Sequence, residues 1–163
     1  MSLTLREAGP GDWPALWPIV RAVIRAGDSY TVDPGLSEAE ARAFWTGPPS
    51  TIVTLAEEAG EVLGTAHMGP NRPGPGAHVA NASYMVAEGA RGRGVGRALV
   101  EDSLARLTKA GFTAVQFNAV VEGNPAVALY EALGFTIIGT VPGAFRHPSR
   151  GDVGLHVMHR PLP

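Results

Sequence analysis

Three glycines at alternate positions, Gly92, Gly94 and Gly96, stand where a strand-like run meets a helix-like one, and nothing else restricts the chain so tightly. The segment reads Val86-Ala87-Glu88-Gly89-Ala90-Arg91-Gly92-Arg93-Gly94-Val95-Gly96-Arg97. Glycines let a turn approach a ligand closely, because no Cβ stands in the way. The first amides of the following helix have no internal partner, and the helix dipole favours negative charge there. The segment therefore predicts a strand–turn–helix unit that holds an anion, most naturally a phosphate. Arg91, Arg93 and Arg97 place three positive charges beside it, and the guanidinium fork suits phosphate oxygens. The bland alternative is a glycine turn with solvated arginines.

The surrounding pattern is that of an α/β fold. Leu3 and Leu5 alternate with polar residues, a short strand. Trp13, Leu16, Trp17, Val20 and Ile24 fall at helical spacing, with Asp12 as an expected cap, Pro14 in the first turn and a slight kink expected at Pro18. Gly27–Leu36 breaks the pattern as a loop. Ser37 and Glu40 have capping-box spacing and open a short helix toward Trp45. Strands are expected over Thr51–Glu57, Val62–Met68 and His78–Val86, with a tight turn at Gly60-Glu61 and a Pro/Gly loop over Gly69–Gly76. Val95–Lys109 reads as a helix with Val100, Leu104 and Leu107 on one stripe. Strand, helix and strand follow over Thr113–Val121, Pro125–Leu133 and Thr136–Val141. A loop through Arg146 and Asp152 leads to a last strand, Val153–Val157. The order β-α-α-β-β-β-α-β-α-β-β implies an α/β sandwich around a mixed sheet, one domain over residues 1–163.

Composition removes whole classes of function. Fifteen acids against 13 bases give a net charge of -2, which argues against a sequence-independent nucleic-acid binder. Cysteine is absent, so thiol catalysis and Cys-ligated metals are excluded. His156 and His159, three apart on a strand, face opposite ways and make a poor metal pair; no metal is expected. No apolar run approaches the ~18 residues of a membrane span, and the chain opens on a strand rather than a leader, so a cytoplasmic protein is expected. Competing phosphate loops fail too. All but one of the 13 basic residues are Arg, so the Gly-Lys-Ser/Thr of a Walker loop cannot be built around Lys109. A G-x-G-x-x-G fingerprint meets Arg97 or Leu99 where its last glycine belongs.

Arg91-x-x-Gly94-x-Gly96, after a strand and opening a helix, resembles the acyl-CoA signature of the GCN5-related N-acetyltransferases. Asn124-Pro125-Ala126-Val127-Ala128-Leu129-Tyr130-Glu131-Ala132-Leu133-Gly134-Phe135 is similar to that superfamily's second motif, and the element order agrees over nearly the whole chain. The resemblance implies a mostly antiparallel sheet whose fourth and fifth strands splay apart, with helices on both faces. It implies acetyl-CoA as cosubstrate, its pantetheine paired with backbone at Met85 and Val86 and its pyrophosphate on the amides of Gly92, Arg93, Gly94, Val95, Gly96 and Arg97. Tyr130 is then the acid that protonates the departing thiolate; a phenol of pKa about 10 can do so. Asn124 caps its helix, touches the cofactor, or does both; the Asn-Pro pair fits a cap and N1.

The departures bear on the amine. Related small-molecule enzymes often place a Glu on the fourth strand as general base; here Asn81 holds that slot, and an amide can orient an amine without deprotonating it. Asn118, on the next strand, could face the same gap. An Asn on each strand is similar to the L-azetidine-2-carboxylate acetyltransferases, and Gly143–His147 with Asp152-Val153-Gly154 resembles the phosphinothricin group. That likeness makes Arg146 a candidate for a substrate carboxylate and His147 a proton relay. Tyr30 is expected to line the acceptor pocket and Trp45 to serve the core. His67 and His78, on strands, could supply a base through water. The expected activity is acetylation of the amine of a small molecule, an amino acid or analogue. Acetylation of a protein or peptide, and an acyl-CoA sensor without turnover, are the alternatives. Members of this family often form homodimers, but the sequence shows no mating surface.

Overall fold

The computed structural model describes residues 2–163. Strands β1 (Thr4–Glu7), β2 (Ile52–Glu58), β3 (Glu61–Pro70), β4 (Val79–Val86), β5 (Ala114–Val121), β6 (Thr136–His147) and β7 (Gly151–Pro161) form one sheet in the order β1-β2-β3-β4-β5-β7-β6. Every neighbouring pair is antiparallel except β4 and β5. Those two run parallel and pair only at Val79↔Ala114 and Ala80↔Val115, after which they diverge.

Helices cover both faces. On one lie α1 (Trp13–Ala26) and α2 (Glu38–Thr46), whose Trp13, Leu16, Val20, Ile24 and Trp45 bury against Leu55 and Met85. On the other, α3 (Val95–Lys109) packs Leu99, Val100, Leu104 and Leu107 over Ala66, Ala80, Ala82 and Val115, with α4 (Ala126–Ala132) beside it. Fully buried Trp45 donates its Nε1–H to Thr65 Oγ1 at 3.1 Å, and that hydroxyl donates to the Thr54 carbonyl at 2.8 Å. The tie matters because burying an indole N–H without a partner is costly.

The Ser37–Glu40 capping box forms in both directions, and α3 has the boundaries its pattern predicts. Elsewhere pairing overrides local reading. Asp12 does not cap α1; its carboxylate takes two bonds from Arg6 at 2.9 Å and one from the Gly9 amide at 2.7 Å. The hairpin turn is Ala59-Gly60, not Gly60-Glu61, because Glu58 and Glu61 pair across it; Ala59 takes φ 52°. His78 lies in the turn before β4 and is exposed. The loop expected after Val141 is mostly strand: β6 continues to His147, a register shift between Val141 and Phe145 absorbs Pro142-Gly143-Ala144, and β7 starts at Gly151. An edge strand accepts such a proline and bulge. Among the described residues no helix is long and apolar enough to cross a membrane.

Candidate active site

Where β4 and β5 part, a groove of about 1070 Å³ opens, lined by the α1–α2 loop, β4, the glycine turn, β5, the start of α4 and the β6–β7 hairpin. The end of the groove beside α3 is built from backbone. Gly92 and Gly94 hold φ of 76° and 81°, a left-handed conformation that side chains resist. The first helical bond is Ala98 N–H to Gly94 O at 3.0 Å, which leaves the amides of Val95, Gly96 and Arg97 without helical acceptors. Arg91 lines the groove without an ion pair among the described residues. Arg97 lines it too and pairs with Glu101 at 3.0 Å. Arg93 turns away to Glu58 of the β2–β3 hairpin and is absent from the groove wall.

The main chain of β4 supplies the middle. Asn71 N–H bonds Val79 O and Ala87 N–H bonds Leu63 O, so the odd-numbered residues spend their backbone on β3. Met85, opposite Thr65, is one of these, and its side chain is buried. Val86 and Tyr84 turn their backbone toward the side that β5 has left. The Tyr84 carbonyl already accepts from the Tyr30 hydroxyl at 2.7 Å, so Tyr30 braces β4 as well as lining the groove.

Tyr130 leans on Phe117 with ring centroids 4.6 Å apart and lines the groove. Its hydroxyl makes no hydrogen bond to the described residues, and burial pushes its pKa above the usual phenol value, so the phenol stays protonated. Asn81 and Asn118 both line the opening. Asn81 Nδ2 donates to the Gln116 carbonyl at 2.9 Å, bridging the strands just past their last pair. Asn118 is exposed; its Nδ2 donates to Asn71 Oδ1 at 2.7 Å and its Oδ1 accepts from Gln116 Nε2 at 3.0 Å. Asn124 accepts from the Ala126 amide at 2.9 Å, a capping bond, and borders the groove.

The structure separates the two C-terminal candidates. Arg146 lies outside the groove, exposed and forked onto Asp152, its partner across the β6–β7 ladder, at 2.9 and 3.3 Å. Its guanidinium is thus already spent on a carboxylate. His147 lines the mouth, its Nδ1 accepting from Ser149 N–H at 3.1 Å. Besides Arg91 and Arg97 the wall holds Arg150, unforeseen in sequence, which donates to the Glu122 carbonyl at 2.9 Å and lies over Gly123. Asp28, Ser29 and Thr31 of the α1–α2 loop were also missed, since a loop without periodicity offers no signal of which residues turn inward. His156 bonds Thr140, and among the described residues no three metal-binding side chains converge.

A profile of the acetyltransferase (GNAT) family matches residues 20–135. The chain is 30% identical over 149 residues to the L-methionine sulfoximine/L-methionine sulfone acetyltransferase of Pseudomonas paraeruginosa, covering 87% of this chain and 85% of that one. Among solved structures, a GCN5-related N-acetyltransferase from Kribbella flavida superimposes with a TM-score of 0.94 at 57% identity, covering 98% of both chains. A phosphinothricin acetyltransferase from Sinorhizobium meliloti, solved with acetyl-CoA, gives 0.86 at 28% identity, covering 99% of this chain and 89% of that one.

Proposed function

The chain belongs to the GNAT acetyltransferase family, and from that premise we propose that it moves the acetyl group of acetyl-CoA onto the amine of a small molecule of amino-acid type. One observation carries the reading: the free amides at the start of α3, the unpaired backbone of β4 and the unbonded Tyr130 hydroxyl all face one groove. The amides of Val95, Gly96 and Arg97 with Arg91 hold the pyrophosphate, and Val86 pairs with the pantetheine. The thioester then lies at the strand opening, where a β4 amide stabilises the oxyanion and Tyr130 protonates the thiolate. Asn81 and Asn118 orient the amine, and Arg150 rather than Arg146 stands in the wall to meet a carboxylate. The sulfoximine and phosphinothricin enzymes among the relatives favour an amino-acid acceptor.

The test is thiol release from acetyl-CoA with a panel of amines that includes cyclic secondary amines and sulfoximine- and phosphinothricin-like amino acids. Turnover with one of these, lost in Asn81→Ala, is the expected result. Tight binding of acetyl-CoA with no thiol release from any amine would overturn it in favour of a sensor or a macromolecular acceptor.

A further inference from the structure

An amine that attacks a thioester must shed a proton, and β4 carries no acid to receive it. Asn81 cannot, and its Nδ2 is committed to Gln116. Besides the tyrosines and arginines, the titratable groups of the groove wall are Asp28, His67 and His147. Asp28 is exposed on the α1–α2 loop, and His147 sits on the β6–β7 hairpin with Nδ1 engaged. His67 is different. It lies on β3 opposite Ser83 of β4, two residues from Gly69, the partner of Asn81. Its side chain therefore emerges beside that of Asn81, and both line the inner wall.

The ring is fixed. It stacks on Trp45 with centroids 4.2 Å apart and planes within 6°, and Phe44 meets it edge-on at 5.7 Å. Nδ1 lies 2.8 Å from the Trp45 carbonyl, which can only accept, so the proton sits on Nδ1 and Nε2 carries the lone pair. Nε2 has no hydrogen-bond partner among the described residues. Thr54 Oγ1 is the one fully buried side-chain oxygen or nitrogen without a partner among the described residues, so Nε2 keeps some access to solvent, and the residue that carries it lines the groove. The groups facing the ring are neutral: Phe44 and Trp45 from α2, Val53 from β2, Asn81 and Ser83 from β4. Burial lowers its pKa below the ordinary histidine value, so at neutral pH it is an unprotonated base.

We propose that His67 is the proton acceptor of the acetyl transfer, taking the N–H proton of the attacking amine on Nε2. This rests on the acetyl-transfer reading above. As the amine nitrogen bonds to the thioester carbon, its proton passes to Nε2, directly or through one water. The C–S bond breaks, and the thiolate takes the Tyr130 proton. The imidazolium then releases its proton to solvent and the phenolate recovers one, so charge and protons balance.

The experiment compares kcat/KM against pH for the parent and His67→Phe, which keeps an aromatic ring on Trp45. The parent loses activity on the acid side as Nε2 protonates. The variant is expected to lose roughly 10²- to 10⁴-fold, with that acid limb gone and acetyl-CoA affinity unchanged. Imidazole added to His67→Ala should restore turnover. Should His67→Phe fail to fold, His67→Gln, which keeps a donor for the Trp45 carbonyl, carries the same comparison. Parental kcat/KM with the acid limb intact overturns the proposal, as does a limb that vanishes in Asp28→Asn or His147→Ala instead. A parent that turns over no amine overturns the acetyl-transfer reading itself, a result distinct from an active parent indifferent to position 67.

Discussion

Gly94 and Gly96 are two residues apart in one turn, yet their replacement by alanine should fail in opposite ways. Gly94 sits at φ 81°, and a Cβ built there meets nothing within 4 Å. The cost of Gly94→Ala is therefore backbone strain alone, about 1–2 kcal/mol for a left-handed residue. In a chain of this length each kcal/mol lowers Tm by roughly 2–4 °C, so a fall of about 2–8 °C is expected. Gly96 has no left-handed strain, and its Cβ would stand in ordinary contact, 3.7 Å from Val86 Cγ2 and 3.8 Å from Leu129 Cδ2. Gly96→Ala should fold as well as the parent, since alanine is the better helix residue. Gly96 lines the groove, however, so with the pyrophosphate placed as proposed its methyl should hold a phosphate oxygen off the amides. A lost hydrogen bond to a charged group costs about 1.5–3 kcal/mol, or roughly 10- to 150-fold in acetyl-CoA affinity. Thermal unfolding and calorimetric titration of acetyl-CoA, run on both variants, read the two effects separately. Parental affinity in Gly96→Ala would refute the placing of the pyrophosphate on this turn; parental stability in Gly94→Ala would refute the strain argument.

Tyr130→Phe should lower kcat by about 10² or more while leaving acetyl-CoA binding intact, because in the proposed reaction only the proton donor is removed; equal losses in both would show a packing role against Phe117. In the core, Thr65→Val should destabilise by about 1–3 kcal/mol in urea, since the Trp45 indole loses its acceptor. Thr54→Val should stabilise, because that hydroxyl is buried without a partner. The carboxyl of Asp12 is held down to about 2 by Arg6, so the pair stabilises the fold above the unfolded value of 3.8 and is lost as pH falls from there to about 2. Asp12→Asn should accordingly cost up to about 1 kcal/mol at neutral pH, as a partly exposed, solvent-screened pair does, and nothing below about pH 2 in acid unfolding.

What the sequence disclosed was local. A capping box, a glycine turn and the stripe of α3 are each fixed by residues within a few positions, and Ser37–Glu40 and Val95–Lys109 stand where their patterns put them. Properties set by cross-strand neighbours were hidden. Nothing near Asn81 in sequence reveals that its amide bridges to Gln116, nor that Arg146 faces Asp152 while Arg150 swings into the groove. The tail of β6 resembles a loop in sequence because Pro142 and Gly143 are local loop signals, and its pairing with β7 overrides them. His67 sat in plain alternation on its strand; only its stacking on Trp45, from another element, shows which nitrogen is free.

The parting of β4 from β5 also sets the order in which the fold is gained and lost. The β2–β3 and β6–β7 ladders close over short turns, whereas the seam joins residues 35 apart, across α3, for two pairs of contact. Long-range pairing costs loop-closure entropy before it returns anything, and a ladder of two pairs returns little, so the seam should close late, after the rate-limiting barrier. A ligand lying across it then meets a finished site only in the native state. Acetyl-CoA should therefore slow the unfolding limb of a stopped-flow chevron and leave the refolding limb where it was, so that a loaded molecule gains its stability as lifetime.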